Sequence, residues 1–258
     1  MNNMSGGAFR ITGKHLIIGA LAVLILIGGL FLYLRSSGQN TATNPSGIYP
    51  TTSVPTAPSG PSQTGTVGSI GPNQIGYVGC SNTWMSVEGY HNAAGNKNLF
   101  WDTKGLQSSG VTIIDWANPS GKWWTSLDRK IQQSGQPKIV WIQLCDRVIS
   151  ENDTYDTVKQ LIANVRQHIP SAVFYISPLN SYNPPNTCLV LGSNGEGVTN
   201  GITWSNQATA DGLAKRGPDL GPLTPSDILP TDTMHCHPTD QARATIIGPQ
   251  LVNFFDHL

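Results

Sequence analysis

The sequence predicts an α/β fold for residues 75–258, a flavodoxin-like three-layer α/β/α sandwich around a parallel sheet. Two observations lead to this prediction. From Ile75 onward, short apolar runs alternate with amphipathic ones, which is typical of strands alternating with helices in a parallel sheet covered on both faces. The clearest helix, over residues 153–168, has apolar residues at helical spacing and ends before Pro170.

The individual elements follow from the same patterns. Strands are predicted over five short runs, residues 75–79, 111–116, 138–144, 172–177 and 226–229. Helices are predicted over five longer runs, residues 82–91, 122–133, 153–168, 206–215 and 239–255. Right-handed crossovers then bring the loops after the first three strands to one edge of the sheet, where α/β proteins place their functional sites.

An apolar segment precedes the domain. Residues 16–34, LIIGALAVLILIGGLFLYL, carry no charge and are long enough to cross a hydrocarbon core of about 30 Å as a transmembrane helix. A cleaved signal peptide is the alternative, but its apolar region is usually only about 7–15 residues long. Arg10 and Lys14 precede the segment and only Arg35 follows it. This asymmetry predicts a cytoplasmic N-terminus over residues 1–15, a single-pass membrane anchor and a domain outside the cytoplasm.

Residues 35–74 have the composition of a linker. They are rich in Ser, Thr, Pro and Gly, and Arg35 is their one charged residue. Such a segment cannot bury enough apolar surface to offset the entropy of ordering it, so we expect a disordered tether. Its hydroxyls, and the acceptor pattern Asn152-Asp-Thr154, are sites that a host with the right enzymes would glycosylate.

The charges exclude one class of partner. The chain has 15 Lys and Arg against 15 Asp and Glu, and all the acidic residues lie within residues 75–258. The domain is therefore slightly acidic and has no basic stripe, which argues against a nucleic-acid partner. The sequence also has no glycine-rich phosphate loop and no internal repeat. We expect the protein to be a monomer and to use no cofactor.

Two remote segments carry the candidate chemistry. In Ile75-Gly-Tyr-Val-Gly-Cys-Ser-Asn-Thr83 an apolar strand ends at Gly79 and a helix follows, which places the Ser81 hydroxyl at the carboxyl end of the strand. In Asp232-Thr-Met-His235 a carboxylate precedes an imidazole by three residues, shortly before the last helix. Serine, histidine and aspartate are the nucleophile, general base and orienting carboxylate of acyl transfer.

These segments resemble two blocks of the SGNH (GDSL-type) hydrolases. The first resembles the Gly-Asp-Ser block of that family, and the second is similar to its closing Asp-x-x-His block. Their order and their separation fit the family over residues 75–258. The resemblance implies an esterase in which Ser81 is the nucleophile, His235 takes its proton and Asp232 orients the imidazole.

The resemblance also implies an oxyanion hole, of which two parts are found in the sequence. The backbone N–H of Ser81 lies at a helix N-terminus, where donors lack intrahelical partners. A second-block glycine supplies another N–H in the family. Gly110 is the candidate here, and Gly105 and Gly121 are alternatives.

The third block departs from the family pattern. Where the family has Gly-x-Asn-Asp after a strand, this sequence has Gln143-Leu-Cys-Asp-Arg147. We expect Gln143 or Asn82 to supply the side-chain amide instead. A missing donor matters, because loss of one can lower the rate by about 100- to 1,000-fold.

Other interpretations of these residues remain open. Ser81 and Asp232 can be helix or turn caps, and Cys80 is an alternative nucleophile one place before the apex of the turn. His237 is an alternative base, but it would leave Met234 where the family has aspartate. A metal site is a further alternative, though no second His or Cys pair has ligand spacing and we predict none. The cluster that suggests one is Asp232, His235, Cys236, His237 and Asp240, with His91 as a further candidate.

The cysteines predict two disulfides. Four cysteines allow three pairings. If the first and third predicted strands are neighbours, Cys80 and Cys145 lie at one edge within bridging reach. Cys188 and Cys236 then pair, which links the long loop 180–201 to the segment that contains the histidines. Loops of this length in compact domains are usually functional or disordered. Four buried thiols are the alternative.

The sequence therefore predicts a membrane-anchored serine esterase of SGNH type. Its expected substrates are acetyl or other short acyl esters on cell-surface carbohydrate, with lipid esters second. The alternative is a non-catalytic SGNH-like surface or carbohydrate-binding module. Two departures from the family favour that alternative, the missing third-block asparagine and Cys80 in place of the usual aspartate.

Overall fold

The computed structural model describes residues 68–93, 97–149 and 153–258. The predicted membrane span, residues 16–34, lies outside them, as does most of the predicted linker. Within the described ranges, every helix is too short or too polar to cross a bilayer. Residues 68–74, which the composition assigns to the linker, contact the domain. The Asn73 N–H donates to the Asn98 carbonyl, and Lys138 Nζ donates to the Ser69 carbonyl.

The described part of the chain has an α/β fold built on a four-stranded parallel sheet. The strands are β1 (Ile75–Val78), β2 (Ile139–Leu144), β3 (Val173–Pro178) and β4 (Lys215–Arg216), in the order β1-β2-β3-β4. Every residue of β1 and β2 is buried. Burial on both faces is typical of parallel strands covered by helices, and it explains their nearly continuous apolar sequences.

The predicted strand at residues 111–116 is wrong, because this run forms the short helix α2 (Ile113–Ala117). Thr112 precedes the helix, and the Asp115 carboxylate accepts hydrogen bonds from the Thr112 N–H and hydroxyl. A short apolar run without alternation fits a buried helix as well as a strand. The free edge of β1 instead forms a single parallel bridge between Ile75 and Phe100.

The remaining helices follow the predictions with shifted ends. The N-terminal and central helices are α1 (Ser81–Ala93), α3 (Lys122–Ser134) and α4 (Tyr155–His168). The next helix, α5 (Glu196–Ala210), begins ten residues before its predicted start. The C-terminal helix consists of α6 (Asp240–Ala242), a π-helical stretch (Arg243–Ile247) and α7 (Gly248–Phe255).

The long loop after β3 is shorter than predicted because α5 starts early. It contains two 3-10 turns, Pro185–Thr187 and Leu189–Leu191. The strand predicted at residues 226–229 is also wrong. A 3-10 turn, Pro225–Asp227, forms there, and only Ile228 makes an antiparallel bridge, to Pro238.

The helices pack in two groups, as the outer layers of a sandwich require. One group is α1 with the π-helical stretch and α7, and the other includes α2, α4 and α5, which packs on β3. Gly89 and Gly248 allow α1 and α7 to approach closely, because a Cβ on Gly248 would lie 2.2 Å from the Gly89 carbonyl oxygen. An aromatic cluster of Phe100, Trp141 and Phe255 fills the core under this pair.

Candidate active site

The first part of the site is the sharp turn between β1 and α1. The Gly79 carbonyl accepts hydrogen bonds from the Ser108 hydroxyl at 2.7 Å and from Trp116 Nε1 at 3.0 Å. A Cβ on Gly79 would lie 2.1 Å from Thr83 Oγ1, so the turn requires glycine at this position. Ser81 is the first residue of α1 and is 8% exposed. The serine hydroxyl therefore stands at the carboxyl edge of the sheet in a rigid turn.

A histidine and an aspartate line up behind this hydroxyl. Ser81 Oγ lies 2.7 Å from His237 Nε2, and His237 Nδ1 lies 2.8 Å from Asp232 Oδ2. With the Nδ1 proton donated to the carboxylate, Nε2 is the acceptor for the serine proton. An alcohol, an imidazole and a carboxylate thus form the relay that nucleophilic acyl transfer uses.

The Asp232 carboxylate is held by backbone donors as well as by the imidazole. Its Oδ2 accepts from the Cys236 and His237 N–H groups, both at 2.8 Å, and its Oδ1 accepts from the Met234 N–H at 3.0 Å. Burial raises the pKa of Asp232, but these backbone N–H groups and the charge of His237 outweigh burial, so the pKa is lowered overall. The carboxylate is therefore ionised at neutral pH.

The expectation that His235 faces Ser81 is wrong. His235 has a φ of 54° and an exposed side chain, and the ring nitrogen against Ser81 belongs to His237. The His235 N–H donates to the Asp232 carbonyl, which closes a tight turn, and the chain then reverses before it reaches His237. The carboxylate consequently reaches its imidazole partner five residues on, through a wrapped loop. His237 was the alternative base considered from the sequence. In the structure, the antiparallel bridge between Ile228 and Pro238 anchors the segment that carries it.

Two disulfides flank the relay. Cys80 is bonded to Cys145, and Cys188 is bonded to Cys236. These are the two pairs expected from the sequence. Cys80 directly precedes Ser81, and Cys236 directly precedes His237. Because Cys80 is in a disulfide, it is not available as a nucleophile. Cys236 is likewise not a thiolate ligand, and the described residues include no cluster of His, Cys, Asp and Glu suited to a metal.

The residues expected to complete an oxyanion hole are found in different environments. Gln143 is buried and engaged, since its Oε1 accepts from Thr83 Oγ1 at 2.9 Å and its Nε2 donates to Asn180 Oδ1 at 3.0 Å. Asn82 is buried and its Oδ1 has no partner among the described residues. Gly110 is exposed, has a φ of 70°, and lies two residues after Ser108, which contacts the turn before Ser81.

Sequence reasoning did not single out two residues near the relay. Tyr182 is buried, and its hydroxyl donates to the Cys236 carbonyl at 2.7 Å. Burial raises the pKa of this hydroxyl and the Asp232 carboxylate adds to the effect, so it stays protonated. Asn180 is fully buried, and its Nδ2 has no partner in the described part of the chain. Both follow β3 in a loop without periodicity, so no sequence pattern marks them.

The surface beside the relay has polar and apolar parts. A cavity of about 200 Å³ opens in the loop after β3, lined by Ser181, Tyr182, Asn194 and Thr199 among others. Two apolar side chains, Leu189 and Met234, are 50% and 43% exposed, and the Leu189 N–H donates to the Met234 carbonyl. A substrate that reaches Ser81 from this side would meet both kinds of surface.

Comparisons with known proteins give only distant likenesses. No protein-family model matches the chain, and no curated protein matches it. A solved structure from Slackia heliotrinireducens, described provisionally as an SGNH hydrolase, superposes with a TM-score of 0.45 and 13% identity, covering 70% of this chain and 99% of that one. Another solved structure gives a TM-score of 0.37 and 11% identity, covering 74% and 99%. Identities and TM-scores this low leave the assignment of the site to the geometry of its own residues.

Proposed function

We propose that the protein is a serine hydrolase that cleaves carboxylic esters. One observation carries the proposal: Ser81 Oγ, the His237 ring and the Asp232 carboxylate are joined by contacts of 2.7 and 2.8 Å. A serine hydroxyl is a weak nucleophile at neutral pH unless a base accepts its proton during attack. The arrangement supplies that base and fixes its tautomer.

The proposed reaction has two steps that use the same residues. Ser81 Oγ attacks the ester carbonyl carbon while its proton passes to His237 Nε2, and the imidazolium then returns that proton to the departing alkoxide. The resulting acyl-enzyme is attacked by water, which gives its proton to His237, and Ser81 recovers a proton as the acid leaves. The Asp232 carboxylate stabilises the imidazolium in both steps.

Developing negative charge on the carbonyl oxygen also needs donors. The N–H groups of Ser81 and Asn82 are the first two of α1 and precede the Thr83 N–H, which donates to the Cys80 carbonyl. Donors at a helix start favour an oxyanion. The Gln143 amide is not available to bind the oxyanion, because it is already hydrogen-bonded to Thr83 and Asn180.

The substrate class that we propose is an acetyl or other short acyl ester on cell-surface carbohydrate, with lipid esters second. The cavity beside Tyr182 is lined by Ser181, Asn194 and Thr199 together with apolar residues, and these polar side chains support a hydroxyl-bearing alcohol group. The predicted anchor at residues 16–34 supports action at a membrane surface, on the outer side. The exposed Leu189 and Met234 keep the lipid ester as the second candidate.

The test uses the full chain in detergent micelles. We expect a fluorophosphonate probe to label the parent protein and p-nitrophenyl acetate to be hydrolysed. Ser81→Ala should abolish both, whereas Ser86→Ala, which removes a buried α1 hydroxyl bonded to the Asn82 carbonyl, should retain labelling. Absence of labelling in the folded parent would instead support the second candidate, a non-catalytic carbohydrate-binding module, which the occupied Gln143 amide favours.

A further inference from the structure

The site is divided into two covalently closed halves. The disulfide between Cys80 and Cys145 joins the turn between β1 and α1, directly before Ser81, to the loop after β2. The disulfide between Cys188 and Cys236 joins the loop after β3 to the loop that carries Asp232 and His237. We call these the serine half and the histidine half. Each half is crosslinked within itself but not to the other half. We therefore expect the distance between Ser81 and His237 to depend on the noncovalent contacts between the halves.

A buried chain of hydrogen bonds extends from the serine turn to Gln143. The Cys80 N–H donates to Thr83 Oγ1 at 2.9 Å, and Thr83 Oγ1 donates to Gln143 Oε1 at 2.9 Å. Because Gln143 Oε1 must accept from Thr83, the Nε2 group of the same amide is turned toward β3. The orientation of the Gln143 amide is therefore fixed by the serine half.

A second buried chain extends from Asn180 to the histidine segment. Asn180 lies two residues before Tyr182 in the loop after β3, and the Tyr182 hydroxyl donates to the Cys236 carbonyl at 2.7 Å. Cys236 is the residue before His237. Ser181, which lies between Asn180 and Tyr182, donates its backbone N–H to the Leu220 carbonyl. Hydrogen bonds therefore hold this stretch of the loop both at Ser181 and at Tyr182. Asn180 thus belongs to the histidine half.

The two chains meet where Gln143 contacts Asn180, and a second hydrogen bond between the halves joins the Asn82 side chain to the Tyr182 hydroxyl. Gln143 Nε2 donates to Asn180 Oδ1 at 3.0 Å, and both side chains are buried. The sheet pairing of β2 and β3 ends at Leu144 and Pro178. The amide contact therefore lies at the edge where the paired strands give way to the loops that carry the relay.

We propose that Gln143 and Asn180 are positioning residues, whose amide contact sets the separation of Ser81 Oγ from His237 Nε2. This inference rests on the proposed esterase function. The unpartnered Asn180 Nδ2 supports it. A buried, half-satisfied amide costs free energy that an apolar residue of the same shape would not, so packing alone does not explain asparagine at this position. A hydrogen bond between buried groups is directional, so it fixes their relative position, whereas an apolar contact does not.

The test replaces both amides by apolar side chains of similar shape. In Gln143→Met with Asn180→Leu, neither partner of the contact is left unpaired by the other, but the buried Thr83 hydroxyl loses its acceptor. We therefore expect the fold to be kept and the melting temperature to fall modestly. We expect kcat for p-nitrophenyl acetate to fall about 10- to 100-fold, because a small misplacement of reacting groups costs this much. KM should stay within about twofold, and the fluorophosphonate labelling rate should fall with kcat.

A matched control separates positioning from stability. Asn164 is also a buried asparagine, but its Nδ2 donates to the Trp116 and Ala117 carbonyls between α4 and α2. Asn164→Leu should lower the melting temperature and leave kcat of the folded protein unchanged. A conservative variant provides rescue, since Asn180→Asp keeps an acceptor for Gln143 Nε2 and should retain kcat within about threefold of the parent. If the double variant does not fold, the kcat of Asn180→Asp compared with that of Asn180→Leu decides whether Asn180 acts as a positioning residue.

Three results would overturn the proposal. In the first, the double variant keeps the parent kcat per labelled active site. In the second, the losses in Gln143→Met and Asn180→Leu simply multiply in the double variant, which would show that the residues act independently. In the third, Asn180→Asp loses as much activity as Asn180→Leu. A folded parent that is never labelled would instead refute the esterase itself, so the two failures are distinguishable.

Discussion

Ser81 and His237 are 156 residues apart in the sequence, yet 2.7 Å separates the serine Oγ from the histidine Nε2. The contact joins the first turn of the domain to the loop before its last helix. Every catalytic property proposed for the protein depends on it, and it leads to predictions that distinguish neighbouring residues.

The two histidines of the closing loop should behave differently. His237→Gln is expected to lower kcat/KM for p-nitrophenyl acetate by at least about 1,000-fold, because Ser81 loses the base that accepts its proton. His235→Gln should change kcat/KM less than about twofold, since its ring is exposed and bonded to none of the described residues. The opposite ranking would restore the assignment of His235 made from the sequence.

Asp232→Asn should separate geometry from charge. The amide can occupy the place of the carboxylate but does not favour the Nδ1-protonated imidazole in the same way, so we expect kcat to fall on the order of 10,000-fold with little change in KM. Steady-state kinetics on purified protein measures both. A loss of less than tenfold would show that the carboxylate is a loop cap and does not serve the imidazole.

The same aspartate should also link stability to pH. Its pKa is lower in the folded state than in the unfolded chain, so its contribution to the free energy of unfolding is present above the unfolded pKa of about 4 and is lost as the pH falls toward the folded pKa. The parent should therefore melt higher than Asp232→Asn at pH 6, and the difference should shrink below about pH 4. Calorimetry from pH 3 to pH 7 tests this, and a difference that grows in acid would contradict it.

Gly79→Ala should be destabilising. An added Cβ would lie 2.1 Å from Thr83 Oγ1 and 3.0 Å from the Gln143 carbonyl oxygen, so the turn before Ser81 must shift. We expect a loss of about 1–3 kcal/mol or more in the free energy of unfolding, together with reduced probe labelling. The matched control is Gly68→Ala, where nothing lies within 4 Å of the added atom. Equal denaturation midpoints for the two variants would contradict the expectation.

Removal of one disulfide should affect stability and activity together. Cys188 and Cys236 are separated by 48 residues, so replacing both with alanine frees a long loop in the unfolded chain and should lower the free energy of unfolding by about 2–4 kcal/mol. Activity should fall further than the folded fraction does, because Cys236 precedes the histidine of the relay. Urea denaturation and kinetics on the folded fraction measure the two effects. Full activity per folded molecule would show that the bridge does not position His237.

The sequence was informative where local chemistry decides the structure. The glycine and the apolar strand before Ser81 locate a serine at a sheet edge, because only a tight turn at that point lets a helix start directly after the strand. The pairing of Cys80 with Cys145 followed from strand order, since parallel neighbours bring their carboxyl ends together. The α/β class and the helix over Tyr155–His168 were likewise set by periodicity.

Other features depend on contacts between distant parts of the chain. Residues 111–116 are apolar enough for a strand, but the edge of β1 that they would have occupied bears Phe100 instead. The choice between His235 and His237 depends on the path of a loop in which the Asp232 carboxylate accepts from three backbone donors within five residues, those of Met234, Cys236 and His237. Spacing alone does not encode that path, which is why the family-like interval of three residues was misleading.

The chemical state of the cysteines would also determine when the proposed esterase becomes active. During synthesis all four are thiols, and the residues before Ser81 and His237 then have no covalent crosslink to the rest of the molecule. Both crosslinks require an oxidising compartment. Newly made chains of the proposed esterase are therefore expected to mature only where both crosslinks can form, so esters in the reducing environment of synthesis would be spared.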